Sequence, residues 1–409
     1  MTKRLIPLLA AASLLGFACS SESPKADLKP LDGGTLTDAA SSADGPTPLR
    51  DAGGGDARDA GDPPPLPTVH EPDTACSAPG GTLGVVYASS PTAFDSLGKV
   101  GSRRVASGRD LEGFVLFDLD GANASTTPTR LGVGDRSASS GTNIGTFAAV
   151  SPGLQYGLFD TSGASVGTPV TITEEASATN QALGRGGDGA LLVWSTASEV
   201  RAATVNGTGA LSSQKFELEL PSAKGAFLAS VAYDGAKYGV AWSVRGDDNR
   251  YRTRVVIASS TGLLAPARTI LVSTQAHSLA GIAHVGTGFV VVVNLSDPSP
   301  TPILFTLDAA AAPVGSARLL DGTAAVYGMA TQGTELGVVA LRNDQRIEFR
   351  PFSSAGSPLG PWVCLDAVGP VSLDLSAAID SDGAGYAILH RAADDALKLR
   401  RFDHLGTGP

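Results

Sequence analysis

A turn glycine followed by a run of apolar and small residues recurs along most of the chain, and this repeat limits the fold more than any other feature. It reads Gly187-Asp-Gly-Ala-Leu-Leu-Val-Trp194, Gly235-Ala-Lys-Tyr-Gly-Val-Ala-Trp242, Gly286-Thr-Gly-Phe-Val-Val-Val-Val293, Gly333-Thr-Glu-Leu-Gly-Val-Val-Ala340 and Gly383-Ala-Gly-Tyr-Ala-Ile-Leu-His390. Weaker members begin at Gly141 and Gly80. Successive glycines stand roughly 50 residues apart, with a longer first interval that reads as a loop insertion around Ser89 to Arg103. A second anchor, a strand residue followed four places later by another turn glycine, recurs as Phe117 with Gly121, Phe159 with Gly163, Val205 with Gly209, Phe352 with Gly356 and Phe402 with Gly406.

Each unit therefore holds at least two strands and has room for two more. Four short antiparallel strands per period of about 40–50 residues is the blade of a β-propeller. In the glycine-led segment both pleat faces are apolar or small, as in Tyr238, Val240 and Trp242 against Gly239 and Ala241. Such a segment is a central strand covered on both sides by neighbouring blades. The expectation is an all-β chain: a β-propeller of seven four-stranded blades, with six or eight as alternatives. The last unit stops after Gly406, short of a fourth strand. A segment before Gly80 should supply it and close the ring, removing an open sheet edge.

Composition narrows the function classes. With 30 Lys+Arg against 40 Asp+Glu the net charge is −10, so no basic field is available to hold nucleic acid or anionic lipid. Hydrophobic residues make up 42%, enough for a sizeable core.

The N-terminus reads as an address. Lys3 and Arg4 precede an apolar run from Leu5 to Ala18 that is too short to span a bilayer. From Ser20 to about Thr74 the chain is rich in Asp, Ala, Gly, Pro and Ser, with no aromatic between Phe17 and Tyr87. That composition predicts a disordered tether. The layout is thus a signal peptide over 1–18, a tether over 19–74 and the propeller over 75–409.

The run Leu14-Leu15-Gly16-Phe17-Ala18-Cys19 resembles a bacterial lipobox, although Gly16 stands where that motif usually carries a Leu-like residue. The full layout is similar to propeller-type lipoproteins of myxobacteria. The resemblance implies that Cys19 is acylated and becomes the first mature residue, so that the chain's membrane partner is reached through its N-terminal lipid. Ser20 and Ser21, in place of a retaining aspartate, imply the outer membrane. Plain secretion with an unmodified Cys19 is the alternative. Lipidation of Cys19 leaves Cys76 and Cys364, which can pair in an oxidising envelope and staple the ring; two buried free thiols are the other reading.

The motifs for chemistry are weak. Gly184-Arg-Gly186-Gly-Asp-Gly189 matches a dinucleotide fingerprint, but an apolar strand pattern follows where a helix is needed. Gly163-Ala-Ser165-Val-Gly167 matches a nucleophile elbow but occupies the repeated turn. Asp118-Leu-Asp120-Gly121 and Asp380-Ser-Asp382-Gly383 resemble the opening of calcium loops, and carboxylates hydrogen-bonded to turn amides explain them more simply. No cofactor is expected, calcium being the one alternative. His70, His277, His284, His390 and His404 show no metal-ligand spacing, so no metal site is expected.

Loops after the glycine-led strands are where a propeller gathers ligands. The most polar is Gly246-Asp247-Asp248-Asn249-Arg250-Tyr251-Arg252. Arg342, before Asn343 and Asp344, holds the same place in another unit, and His390 with Arg391 ends a strand where sibling units carry Trp194 and Trp242. Asp247, Asp248, Arg250, Tyr251, Arg252, Arg342, His390 and Arg391 are therefore the candidate contacts, against a plain solvated hairpin loop. The function these features favour is a non-catalytic module that binds protein or glycan. The alternatives are a hydrolase or lyase of envelope polysaccharide using channel carboxylates, and a purely structural envelope protein. A carboxylate pair about 5–10 Å apart in a pocket would favour glycoside chemistry.

Overall fold

The computed structural model describes residues 68–406, except 72–75, 77–78, 88–92, 101, 111–112, 120–128, 132–133, 135, 141, 151–152, 175–178, 188, 197–198, 212–214, 220–225, 297–299, 366–376, 382 and 392–396. The leader, Cys19 and the tether up to residue 67 lie outside the described residues, as do Asp120 and Asp382.

The described residues form seven sheets, antiparallel apart from one parallel strand at an edge. Blade 1 runs Ala93–Val100, Arg103–Asp110, Gly113–Asp118 and Thr129–Arg130. Blade 2 is Arg136–Ser140, Asn143–Val150, Gly153–Phe159 and Val170–Thr173, and blade 3 is Thr179–Gly186, Gly189–Ser195, Val200–Val205 and Phe216–Glu219. Blade 4 runs Ala226–Tyr233, Tyr238–Arg245 and Tyr251–Ser259, edged by Gly262–Leu263 and Arg268–Ser273. Blade 5 is His277–Val285, Gly288–Leu295, Pro302–Leu307 and Ala317–Leu319, and blade 6 is Thr323–Gln332, Glu335–Arg342, Ile347–Ser353 and Val363–Cys364. Blade 7 has Ala377–Ser381, Tyr386–Arg391 and Leu397–Phe402, completed by Thr82–Tyr87 from the far end of the chain.

The first strand of each blade contacts the first strand of the next, and Ala377–Ser381 of blade 7 returns to Ala93–Val100 of blade 1. The ring is closed and its innermost strands surround the axis, which is a seven-bladed β-propeller. Strand alternation explains the packing between blades. Tyr238, Val240 and Trp242 pack on Leu191 and Val193 of blade 3. On the opposite pleat, Ala241 joins Phe289, Val291 and Val293 of blade 5. Burying each large apolar side chain contributes about 1.5–3 kcal/mol, so every blade is stabilised by both neighbours.

The turn glycines serve as read. Gly187, Gly235, Gly286, Gly333 and Gly383 all have positive φ, and each leads into the second strand of its blade. The Gly80 member does not. Its strand, Thr82–Tyr87, pairs with Leu397–Phe402 as the outer strand of blade 7. The glycine-led strand of blade 1 is instead Arg103–Asp110, after Gly101, and Ala93–Val100 within the supposed insertion is the innermost strand of that blade. The closing strand thus lies just after Gly80 rather than before it.

The stretch read as tether also reaches into the fold. Thr68–His70 adds a parallel fifth strand to the edge of blade 5, beside Ala317–Leu319. The chain then passes blade 6, where Cys76 is bridged to Cys364 and Pro79 pairs with Cys364, before entering blade 7. This N-terminal strap follows the outer rim across three blades. Backbone bonds stitch it down, from Glu71 N to Leu319 O at 3.0 Å and from Gly80 N to Cys364 O at 2.9 Å.

Candidate functional site

Antiparallel blades place their 1–2 and 3–4 turns on one face of the ring and their 2–3 turns on the other, together with the connections to the next blade. The second strands of blades 4, 6 and 7 therefore deliver Asp247–Arg252, Arg342 and His390–Arg391 to one face. A backbone bond agrees: Asn343 N donates to Gly322 O at 2.9 Å, joining the 2–3 turn of blade 6 to the connection that enters that blade.

The blade 4 loop is held by its own residues. Gly246 N donates to Arg250 O at 2.9 Å and Asn249 N to Gly246 O at 3.1 Å, with Asn249 left-handed at φ 60°. Asp248 accepts the Arg250 amide at 3.1 Å and both Arg252 terminal nitrogens, at 2.9 and 2.7 Å. The hydrogen-bonded Arg252 guanidinium holds the exposed Asp248 carboxyl well below the usual carboxylate range. Arg245 donates to Asn249 Oδ1 at 3.2 Å and lies over the Tyr251 ring at 5.6 Å. Tyr251 leans on the His277 ring, centroids 5.8 Å apart. Beneath them His277 Nε2 meets Thr253 Oγ1 at 3.0 Å, and burial lowers the His277 pKa to about 4, which keeps the imidazole neutral at neutral pH. Asp247, Asp248, Asn249 and Arg250 are exposed.

Arg342 and His390 are not surface contacts. Arg342 is 2% exposed; it donates to Asp321 O at 3.0 Å and Thr323 Oγ1 at 2.7 Å and lies over the Trp362 ring at 5.1 Å. His390 is 1% exposed, as are its siblings Trp194 and Trp242 at 0% and 1%. The position at the end of a second strand is a core slot between blades, whatever the chemistry of its occupant. Arg391, half-buried, is the part of that pair nearer the surface.

The turn reading holds for the elbow motif. Ser165 Oγ donates to Gly167 O at 2.6 Å within the exposed 3–4 turn of blade 2. Gly184 and Gly186 lie on the innermost strand of blade 3, where an added Cβ would meet Val231 at 2.3 Å and the Tyr233 ring at 1.9 Å. These glycines let two blades approach closely. Asp118 pairs with Arg103 at 3.2 Å.

A buried ionic network under the strap was missed by sequence reading. Glu71 pairs with Arg318, and with Arg350 at 3.6 Å. Glu348, fully buried, faces Arg342 at 3.5 Å and touches the bridge, Oε1 standing 2.9 Å from Cys76 Sγ. The signal was present in Ile347-Glu348-Phe349-Arg350, where charges alternate with apolar residues in a strand of the core. Glu71 and Glu348 are the buried carboxylates among the described residues, and they lie on the rim rather than at the channel. Cys76, Glu348 and Cys364 stand within 4.8 Å of one another, but the disulfide leaves no thiolate to hold a metal.

No family model and no curated protein matches this chain. Among solved structures it is similar to a prolyl endopeptidase, at 14% identity over 77% of this chain and 47% of that one, TM-score 0.49. A puromycin-hydrolysing peptidase of Mycobacterium tuberculosis matches at 13% identity over 81% of this chain and 54% of its own, TM-score 0.49. A chain of a mitotic checkpoint complex matches at 14% identity, covering 82% of this chain and 99% of its own, TM-score 0.49. The present chain spans about half the length of those peptidases.

Proposed function

We propose that this chain is an exported, lipid-anchored propeller of the outer membrane whose role is non-catalytic, binding a protein or glycan through the face that carries the 2–3 turns. The supporting observation is the Gly246–Arg252 loop. It is exposed and charged, yet its backbone is held by internal hydrogen bonds and its base is stacked on Tyr251 and His277. A loop already ordered before binding loses little conformational freedom on contact, which favours recognition. The leader, the Cys19 motif and the tether support anchoring, and the Cys76–Cys364 bridge fits an oxidising compartment.

Capture from intact envelopes tests the binding role. The double variant Asp248→Ala, Arg252→Ala removes the latch that holds the loop, and we expect at least about tenfold less partner recovered by a protein that still folds. Equal recovery would overturn the assignment of that loop. Protease or periodate treatment of the envelopes beforehand separates a protein partner from a glycan. Mass spectrometry of the mature N-terminus should find an acylated Cys19, and a bare thiol there refutes the anchor.

A further inference from the structure

The interior of the rim holds a carboxylate that the proposed binding face does not use. Glu348 is fully buried in the third strand of blade 6, directly opposite Cys364 in register. Its Oε1 stands 2.9 Å from Cys76 Sγ and 3.5 Å from the Cys76 amide nitrogen. Arg346 grips the arriving strap by donating to Cys76 O at 2.8 Å. A carboxylate in hydrogen-bond reach of a sulfur, with the backbone of the same cysteine clamped from two sides, is the geometry of a general base for that thiol.

We propose that Glu348 is a catalytic base for closure of the chain's own disulfide, so that docking of the strap and locking of the ring are one event. The strap can dock only after blades 5 to 7 exist, and until then Cys364 is open to a disulfide oxidant such as an envelope dithiol oxidoreductase. The Cys364 sulfur, giving up its proton to solvent, attacks the oxidant's disulfide. That S–S bond breaks, one of its sulfurs stays on Cys364 as a mixed disulfide and the other leaves as a thiol that takes up a proton. When the strap seats, the Cys76 thiol passes its proton to Glu348, and its thiolate attacks the Cys364 sulfur. The Cys76–Cys364 bond forms, the bond from Cys364 to the oxidant breaks, and the oxidant leaves as a thiol after taking up the proton. Two electrons have moved from the cysteines to the oxidant.

The surroundings suit a base that must act near neutral pH. Burial pushes the Glu348 pKa up, while Arg342, Arg346 and the Cys76 amide oppose that rise and Asp344 adds to it. A carboxylate so placed is more basic than a free one and remains ionisable. An unassisted thiol, with a pKa of about 8.5, is only about 3% ionised at pH 7.

The test uses the full chain, reduced and refolded, then mixed with oxidised glutathione. Decay of the glutathione adduct on Cys364 is followed by acid quench and mass spectrometry. The wild-type rate should level off well below the pH range in which a free thiol ionises. Glu348→Gln should close about 30-fold more slowly at pH 7, and the two rates should converge above about pH 9, where hydroxide ionises the thiol unaided. A merely structural role predicts a deficit that persists at high pH, and either that outcome or equal rates at pH 7 would overturn the proposal. Should Glu348→Gln fail to fold, the wild-type profile decides: a rate that climbs tenfold per pH unit through pH 8 sinks it.

Discussion

At Gly163 the backbone sits at φ 80°, and an added Cβ would meet Thr129 Cγ2 at 2.2 Å. The turn around it is set by Asp160, whose carboxylate accepts the amides of Ser162 and Ala164 at 2.8 and 3.0 Å. Blade 5 builds the same turn from Asp308 but puts Ala311, at φ 59°, where its siblings carry glycine. Left-handed backbone costs an alanine about 1–2 kcal/mol, yet Ala311 is buried and its methyl recovers about 0.8 kcal/mol. Ala311→Gly should therefore stay within about 1 kcal/mol of neutral in urea unfolding, whereas Gly163→Ala should cost about 1–3 kcal/mol. His277 carries a pH effect. Its pKa is about 4 in the fold and about 6.5 in the unfolded chain, so its stabilising contribution is complete above pH 6.5. As pH falls toward 4 the unfolded state takes up a proton that the folded state refuses, and stability drops. The urea midpoint should fall across that window, and less steeply in His277→Gln. The turn residues were legible because a turn is a local event. The burial of Arg342 and His390 was not, because it depends on which side chains the adjoining blades bring against a strand end.

Among the elements, the strap decides most. Glu71 arrives on it and is enclosed with Arg318 and Arg350. Removing one partner from a buried pair leaves uncompensated charge, so Glu71→Gln should cost about 3 kcal/mol or more, read as a lowered melting temperature. Replacing both Cys76 and Cys364 by serine should cost about 2–5 kcal/mol. It should also raise amide exchange in Thr82–Tyr87, the strand held next along the chain, before exchange rises in the blade 3 and blade 4 cores. Unchanged exchange there would mean that the bridge does not guard the closure. Thr68–His70 and Ala93–Val100 were not read as strands; that Thr82–Tyr87 is a strand could be read from its apolar run, but its partner could not. Its sequence, Thr-Leu-Gly-Val-Val-Tyr, would serve as a central strand or as an outer one.

For the whole molecule, the strap places the start of the folded unit at or before Thr68. A chain beginning at Thr68 should melt with the full chain, and one beginning at Pro79 should melt several degrees lower, having lost the parallel strand, Glu71 and the bridge. Calorimetry of the two truncations distinguishes a strap from a tether that merely lies nearby. By itself the sequence determined the all-β class and the four-stranded unit, and it favoured seven blades over six or eight and a Cys76–Cys364 bridge over two free thiols. These rest on positive-φ glycines, period-two burial and cysteine parity, all of which are written within one repeat or one short segment. Only the tertiary structure decided which segment closes blade 7, where the tether ends, and which charges are sealed beneath the rim. An open sheet edge accepts any strand of suitable length, and its occupant is settled by which piece of chain can reach that edge once the remaining blades are in place.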